Sequence, residues 1–336
     1  MFVSLLERLR RHQDLTIDDA SAAMGKIMDG EAQPSQIAAL LIGLALKGER
    51  PSEMIGFARA MRDRAVRLPR PVTDAFDTCG TGGDGAHTFN VSTAAAIVLA
   101  GAGVRVAKHG NRAASSRSGS ADVFEALGVN LEAPPDAVLS ALEQANLGFF
   151  FAPMWHPSMR YAGPTRRELG VRTAFNLLGP LTNPAAVTRQ LIGVSRPEHT
   201  ELLARSLGAL GVERAWVAHG AGGLDELSTL GHTKVSELRA GAVNTFYVHP
   251  ADAGLPLTDR AGLAGATAAE NAEMVRRLLD GEIGPRRDIV LFNAAAALLI
   301  AGRVASLREG VRVAAESIDT GSARQALARL CEVCGK

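Results

Sequence analysis

The chain has 336 residues, enough for one large domain or two unequal ones with ample core. Hydrophobic residues make up 47% and charged residues 21%, so the chain can fold, while a net charge of +1 gives no general attraction to nucleic acid or an anionic membrane. Aromatics, at 4%, are too few for extended base-stacking platforms, and three cysteines with an odd count argue for a reducing compartment. Cys331 and Cys334 form a lone CxxC without the second pair a zinc site needs, and read as incidental thiols on a fraying end.

Residues 1 to about 68 read as all-helical. The start, Met1 to Arg11, mixes charge with apolar residues at helical spacing, unlike a signal peptide. Thr16 can cap a helix with Asp19 three residues on, and Gly30 is a natural stop. Ile37, Leu40, Leu41 and Leu44 form an amphipathic stripe, and Pro51 opens a further helix through Met54, Ile55, Ala58 and Met61. The three leucines exceed what a small helical domain can obviously bury by itself. The segment Leu68-Pro-Arg-Pro71 marks a boundary.

From residue 74 short apolar strands alternate with helical stretches. Candidate strands are Ala75–Thr78, Val104–Lys108, Leu191–Ser195, Arg214–Ala218 and Thr245–Val248, with helices near 91–102, 120–127, 136–146 and 198–210. This pattern predicts an α/β sheet covered by helices. After residue 265 the chain reads as helical, with stripes in 268–280, 288–302, 305–317 and 322–331. The longest apolar run, Ile289 to Gly302, is shorter than the roughly 18 to 20 residues of a spanning helix and is interrupted by Asn293. A soluble cytoplasmic protein is expected.

Three segments carry chemistry. Asp77-Thr-Cys-Gly-Thr-Gly-Gly-Asp84 is a strand followed by a glycine turn, and Asn90-Val-Ser-Thr93 then opens a helix. Glycine turns and helix starts offer backbone amides to an anion. A second polar loop carries Lys108, Arg112 and Arg117, so the pair suggests a ligand with two separate phosphate groups. In the second segment, His219 to Ser228, a glycine loop presents adjacent Asp225 and Glu226, hard oxygen ligands suited to Mg²⁺. In the third, His156, Arg166, Arg167 and Arg172 sit among aromatics and prolines, where an arginine can grip a carboxylate with two parallel hydrogen bonds. Residues 77–93, 108–120 and 219–228 all follow strands and are expected to face one crevice.

Taken together, the chain resembles the anthranilate phosphoribosyltransferases of tryptophan biosynthesis. The resemblance rests on Gly80-Thr-Gly-Gly-Asp84, Asn90-Val-Ser-Thr93, Lys108-His-Gly-Asn-Arg112, Ser118-Gly-Ser-Ala-Asp122, Phe175-Asn-Leu-Leu-Gly-Pro-Leu181 and Gly223-Leu-Asp-Glu226, in order and spacing. Gly30-Glu31, Gln36-Ile-Ala-Ala39 and Lys47-Gly48 extend it to the helical start, so that it covers roughly residues 5 to 330. Arg117 stands where Lys is expected and Phe124 where an aliphatic is commoner.

The resemblance implies an α/β protein: a small N-terminal helical domain, residues 1–70 with part of 165–190, and a larger α/β phosphoribosyl-binding domain, residues 71–336, resembling the pyrimidine nucleoside phosphorylases. It implies transfer of the phosphoribosyl group of 5-phosphoribosyl 1-pyrophosphate to the amine of anthranilate. Gly80, Gly83, Asp84, Thr88, Asn90, Val91, Ser92 and Thr93 would bind the pyrophosphate donor. So would the loop Lys108, His109, Gly110, Asn111, Arg112, Ala113, Ala114, Ser115 and Ser116, with Ser120. Gly80, Asn111 and Arg166 would receive anthranilate, with His109, His156, Tyr161 and Pro180 lining its path. Ser92, Asp225 and Glu226 would hold Mg²⁺, two ions per subunit. No general base is implied. A homodimer is expected, with no nucleic-acid or membrane partner. The alternatives are a pyrimidine nucleoside phosphorylase, which would not need the acidic pair, and a non-catalytic nucleic-acid-binding relative, which would lose the anthranilate residues or carry a strongly basic surface.

Overall fold

In the computed structural model, which describes residues 1–113 and 117–335, the chain opens with helices α1 (Phe2–Arg10), α2 (Ile17–Met28), α3 (Pro34–Lys47) and α4 (Pro51–Asp63). Local chemistry sets their ends. Thr16 Oγ1 accepts from the Asp19 N–H at 3.1 Å to cap α2, and Gly30, at φ +77°, takes the left-handed turn beyond it. Pro34 and Pro51 stand at helix starts, where the missing N–H loses no intrahelical bond. Glu53 is buried but satisfied: it accepts from the Leu15 N–H at 3.0 Å and the Arg50 N–H at 2.9 Å and pairs with Lys47 at 3.1 Å. One carboxylate thereby ties together the segments that connect these helices.

Ile37, Leu40, Leu41 and Leu44 are all buried within the chain. The leucines, expected to exceed what the helical domain buries by itself, are covered within this one chain, so the stripe is no argument for a dimer. The cover comes from much later in sequence, from Ala174, Phe175, Leu177, Leu178 and Leu181, which join the same hydrophobic cluster. These residues lie on and after α10 (Ala174–Leu178), and α9 (Gly163–Leu169) also packs on α3.

The described residues then form a seven-stranded sheet in the order β3-β2-β1-β4-β5-β6-β7. Its strands are β1 (Phe76–Asp77), β2 (Val106–Gly110), β3 (Leu147–Phe151), β4 (Arg189–Gly193), β5 (Arg214–Gly220), β6 (Thr233–Arg239) and β7 (Ala242–Val248). Strands β1 to β5 pair in parallel, and β6 and β7 add antiparallel to β5. The fold is a small helical bundle joined to a larger α/β region with a mixed sheet. Helix α5 (Val91–Gly101) crosses from β1 to β2, and α6 (Ser120–Ala126) and α7 (Pro135–Gln144) cross from β2 to β3. Helix α8 (Ala152–Trp155) follows β3, and α11 (His199–Ala209) links β4 to β5.

Helices α12 (Ala268–Leu279), α13 (Pro285–Ile300), α14 (Leu307–Asp319) and α15 (Ser322–Val333) complete the chain. The apolar run noted in sequence is α13, buried from Ile289 to Leu298 against α5. Among the described residues no helix is long and apolar enough to cross a membrane. Cys334 is buried and Cys331 half-buried at the end of α15, packed near α7, so these thiols do not lie on a fraying end as expected.

Strands β3 and β6 were not expected from sequence. Strand β3, Leu-Gly-Phe-Phe-Phe, is buried at every position and so shows no alternation. Strand β6 carries Lys234, Glu237 and Arg239 but is held on both sides, by β5 and by a hairpin to β7 through Ala240 and Gly241 at φ +50° and +78°.

Candidate active site

The carboxyl ends of β1, β2 and β3 and the loop after β5 open into a cleft of about 740 Å³, closed on the other side by residues from 152–182. Parallel strands place their following loops on one edge of a sheet, which is where such folds bind ligands. The glycine turn after β1 forms one wall. Gly82 and Gly83 adopt φ +64° and +72°, a region that side chains strain to enter. The Thr81 N–H donates to Gly193 O at 2.9 Å and the Gly82 N–H to Asp225 Oδ2 at 2.8 Å.

Asp225 and Glu226 are half-buried and anchored rather than freely solvated. Glu226 Oε1 accepts from the Ser92 N–H at 3.1 Å, in the first turn of α5. Burial, then the Asp84 charge, raises the Asp225 pKa; burial, then the Asp225 charge, raises that of Glu226. Two residues not singled out in sequence for this loop fix its path. Buried Asn293 accepts from the Leu227 N–H and donates to Leu227 O, both at 2.9 Å, so the polar break in the α13 run clamps the residue after Glu226. Gly193 allows close approach, because a Cβ there would lie 1.4 Å from Asp225 O.

Carboxylate and hydroxyl oxygens are hard donors suited to Mg²⁺. No group of three or more His, Cys, Asp or Glu among the described residues could cage a metal alone. The set therefore fits an ion that completes its shell with water and substrate phosphates.

Lys108 is only 1% exposed, with Nζ donating to Thr78 O at 2.8 Å and Thr78 Oγ1 at 3.1 Å, and lying 3.4 Å from Ser92 Oγ. Its charge thus rests on neutral oxygens beside the glycine turn. Gly80, Gly83, Asp84, Thr88, Asn90, Val91, Ser92, Lys108, His109, Gly110, Asn111, Arg112, Ala113 and Ser120 all line the cleft. Thr93 is fully buried and is not among the lining residues. Ala114, Ser115 and Ser116 lie outside the described residues. Arg112 is held by Glu125, at 2.7 and 3.0 Å, and by Asp122 at 3.0 Å.

The opposite end of the cleft combines rings, neutral imidazoles and arginine. Arg166 lines it with its guanidinium 4.8 Å from the centre of the Phe175 ring. The His109 and His156 rings lie 5.2 Å apart, and the Nε2 of each is buried without a partner among the described residues. Burial, then the neighbouring imidazole, lowers the His109 pKa to about 3, and burial lowers that of His156 to about 4. The His109 Nδ1 lies 3.0 Å from Gly179 O. A carbonyl only accepts, so Nδ1 carries the proton and Nε2 offers a lone pair. Asp77 accepts from the His109 N–H at 3.2 Å and from Asn183 Nδ2 at 2.7 Å, fixing the end of β2 from behind.

Two sequence readings move. Tyr161, expected along the aromatic path, is 40% exposed, packs over Gly30 and is not among the lining residues. Arg172, grouped in sequence with Arg166, reaches the glycine turn instead: Nη1 donates to Gly82 O at 2.8 Å, and Nη2 is buried without a partner among the described residues.

A helical bundle beside an α/β sheet, with glycine loops converging on an acidic pair, is the arrangement whose two parts match the glycosyl transferase family. The family model for the helical bundle domain of the glycosyl transferase family matches residues 3–65, and that for its a/b domain matches residues 72–324. The chain is 54% identical to the anthranilate phosphoribosyltransferase of Symbiobacterium thermophilum, covering 98% of this chain and 96% of that one. It is 52% identical to that of Moorella thermoacetica, covering 96% and 95%. The crystal structure of anthranilate phosphoribosyltransferase from Thermus thermophilus superposes with a TM-score of 0.91 at 44% identity, covering 98% of each chain. The Saccharomyces cerevisiae enzyme in complex with PRPP and Mg superposes with a TM-score of 0.91 at 27% identity, covering 99% of this chain and 97% of that one. The chain belongs to the anthranilate phosphoribosyltransferase family.

Proposed function

We propose that this chain transfers the phosphoribosyl group of 5-phosphoribosyl 1-pyrophosphate to the amine of anthranilate, releasing pyrophosphate, as a step of tryptophan biosynthesis. The observation that carries this reading is the cleft itself, with amides, Lys108 and an acidic pair at one end and Arg166 among apolar rings and neutral imidazoles at the other. The first end suits a polyanion with its cation, and the second a flat ring bearing a carboxylate. In this reading Gly80, Gly83, Asp84, Thr88 and Asn90 to Ser92 bind the donor with Lys108 to Ser116 and Ser120, while buried Thr93 supports the helix start behind them. Gly80, Asn111 and Arg166 bind anthranilate, and His109, His156 and Pro180 line its path.

The amine nitrogen bonds to the anomeric carbon as the bond to the pyrophosphate oxygen breaks, and the amine then gives up a proton to water. An aromatic amine is neutral at pH 7, so no general base is assigned. Lys108 and the loop amides stabilise negative charge growing on the leaving group. Mg²⁺, held by Asp225, Glu226 and Ser92 as two ions per subunit, would supply Lewis-acid charge neutralisation at the pyrophosphate. Holding both reactants in one cleft supplies much of the remaining rate.

We assign the small domain to residues 1–70 with part of 165–190, because the latter packs into the bundle's hydrophobic cluster. A cytoplasmic homodimer is the expected state. The surface supporting it is Val3 and Leu46, 82% and 77% exposed on α1 and α3, rather than the buried leucine stripe. The test is a direct assay with anthranilate, phosphoribosyl pyrophosphate and Mg²⁺. Phosphorolysis of thymidine without use of anthranilate would assign the chain to the nucleoside phosphorylases instead.

A further inference from the structure

We propose that Asn271, a residue of α12 that does not line the cleft, is a positioning residue that fixes which face Asn90 turns toward the pyrophosphate donor; this rests on the reading of the cleft given above.

Asn271 is 1% exposed. Its Oδ1 accepts from the Ala266 N–H at 2.8 Å, which determines which end of the amide is oxygen. Nδ2 therefore faces the phosphate loops and donates to Asn90 Oδ1 and to Ser118 Oγ, each at 2.9 Å. Two N–H groups meet two acceptors. The Ser118 hydroxyl also donates to Asn90 Oδ1 at 2.9 Å, so both acceptor sites of that oxygen are engaged. Asn90 Nδ2 gives one hydrogen to Ser118 O at 3.3 Å. Its second hydrogen remains for the cleft that Asn90 lines. An anion at the start of α5 thus meets an N–H from Asn90 and not a carbonyl oxygen.

The same contacts join three separate segments. Asn90 precedes the first turn of α5 and makes no side-chain cap there, so its amide is free for this network. Ser118 lies in the second polar loop, and Asn271 comes from a helix whose start is fixed by the Thr267–Glu270 capping box. Asn271 holds the two phosphate loops in register from behind.

The test compares Asn271→Asp and Asn271→Ala with the wild type in KM for each substrate, kcat, and calorimetric affinity for phosphoribosyl pyrophosphate with Mg²⁺. In Asn271→Asp the acceptor for Ala266 is kept, but an oxygen replaces Nδ2. Asn90 then turns its own Nδ2 toward the new carboxylate and presents Oδ1 to the substrate. We expect the KM and Kd for phosphoribosyl pyrophosphate to rise about tenfold or more in Asn271→Asp, with a smaller rise in Asn271→Ala, and the KM for anthranilate to stay within about twofold. The constants are measured at a temperature where circular dichroism shows each variant fully folded, because a partly unfolded variant raises its apparent Kd as the folded fraction falls. In an Asn90→Ala background, Asn271→Asp should add little, because the group it orients is gone. An unchanged KM for phosphoribosyl pyrophosphate in both variants, or an equal effect with and without Asn90, overturns the proposal and leaves the enzyme assignment standing. A wild type that binds no phosphoribosyl pyrophosphate overturns both.

Discussion

At the glycine-turn end of the cleft, Asp84, Asp225 and Glu226 crowd together, and burial with mutual repulsion raises the pKa of the last two. At the aromatic end, burial lowers the pKa of His109 and His156 to about 3 and about 4. Both ends therefore favour the uncharged form of their titratable groups, with opposite consequences. In the proposed reading the acidic end becomes favourable when a cation arrives with the substrate and offsets the repulsion. The two imidazoles stay neutral throughout, with the buried Nε2 of His109 left as an acceptor. In the proposed reading one end binds by charge, and the other by shape and the Arg166 guanidinium.

The largest effect should come from breaking the charged end. Asp225→Asn or Glu226→Gln should lower turnover about a hundredfold or more and raise the Mg²⁺ requirement, since each removes a charge that holds the ion in the proposed reading. Stability should move the other way without Mg²⁺. A carboxyl whose folded pKa is raised keeps a proton that the unfolded chain has already released. Its contribution therefore falls as pH rises from the ordinary carboxylate range to the raised value. In Mg²⁺-free buffer at pH 8, Glu226→Gln should melt no lower than wild type. Full activity at limiting Mg²⁺ would falsify the metal assignment.

Gly83→Val tests the backbone half of the same end. The position has φ +72°, and a Cβ there would fall 1.5 Å from Arg172 Nη1. The arginine can move, but the backbone must still hold a β-branched residue in the left-handed region. Calorimetry should show loss of affinity for phosphoribosyl pyrophosphate, with a modest fall in melting temperature from the local strain and the fold kept, because the turn lies at the end of the sheet. Unaltered affinity would mean that the turn does not approach the pyrophosphate.

The two ends were not equally legible in the sequence. The glycine turns, the acidic pair and the helical stripes depend on local spacing, and residues such as Gly83, Glu226 and Leu40 stand where that spacing suggests. The supports behind them depend on contacts across the chain. Asn293 meets Leu227 at a separation of 66 residues, and Asn271 meets Asn90 at 181, distances over which no local pattern operates. Tyr161 shows the converse, being close in sequence to His156 yet facing Gly30. Strand β6 was hidden because its charged residues disfavour an isolated strand, while pairing on both edges holds it in place.

The aromatic end should respond more modestly. Arg166→Ala should raise the KM for anthranilate by about tenfold to a hundredfold, the loss of a charge-assisted hydrogen bond worth roughly 1.5–3 kcal/mol, and leave that for phosphoribosyl pyrophosphate nearly unchanged. Aniline, which lacks the carboxylate, should be a poor substrate for the wild type and lose little more in the variant. If the variant separates anthranilate from aniline as well as the wild type does, another group binds the carboxylate.

The smallest expected effect tests whether the imidazole wall stays neutral. His156 titrates at about 4 when folded against 6.5 for an ordinary imidazole, so between these values the unfolded chain binds a proton that the folded chain refuses. Stability must then rise with pH through that window and be lost as pH falls from about 6.5 toward 4. At pH 5 the difference amounts to about 2 kcal/mol for this one group. His109, lowered further, adds a comparable amount over the same range. His156→Phe keeps a ring against His109 and removes one titration, so it should flatten the acid limb of a denaturant-derived stability curve between pH 6.5 and 4. Its stability at pH 8 is a separate matter, because loss of the contact with Thr182 acts there too. The slope is therefore the quantity to compare. An acid limb as steep in His156→Phe as in the wild type would mean that His156 already carries its proton in the folded protein, and the wall would then be a second cationic site beside Arg166 rather than a neutral one.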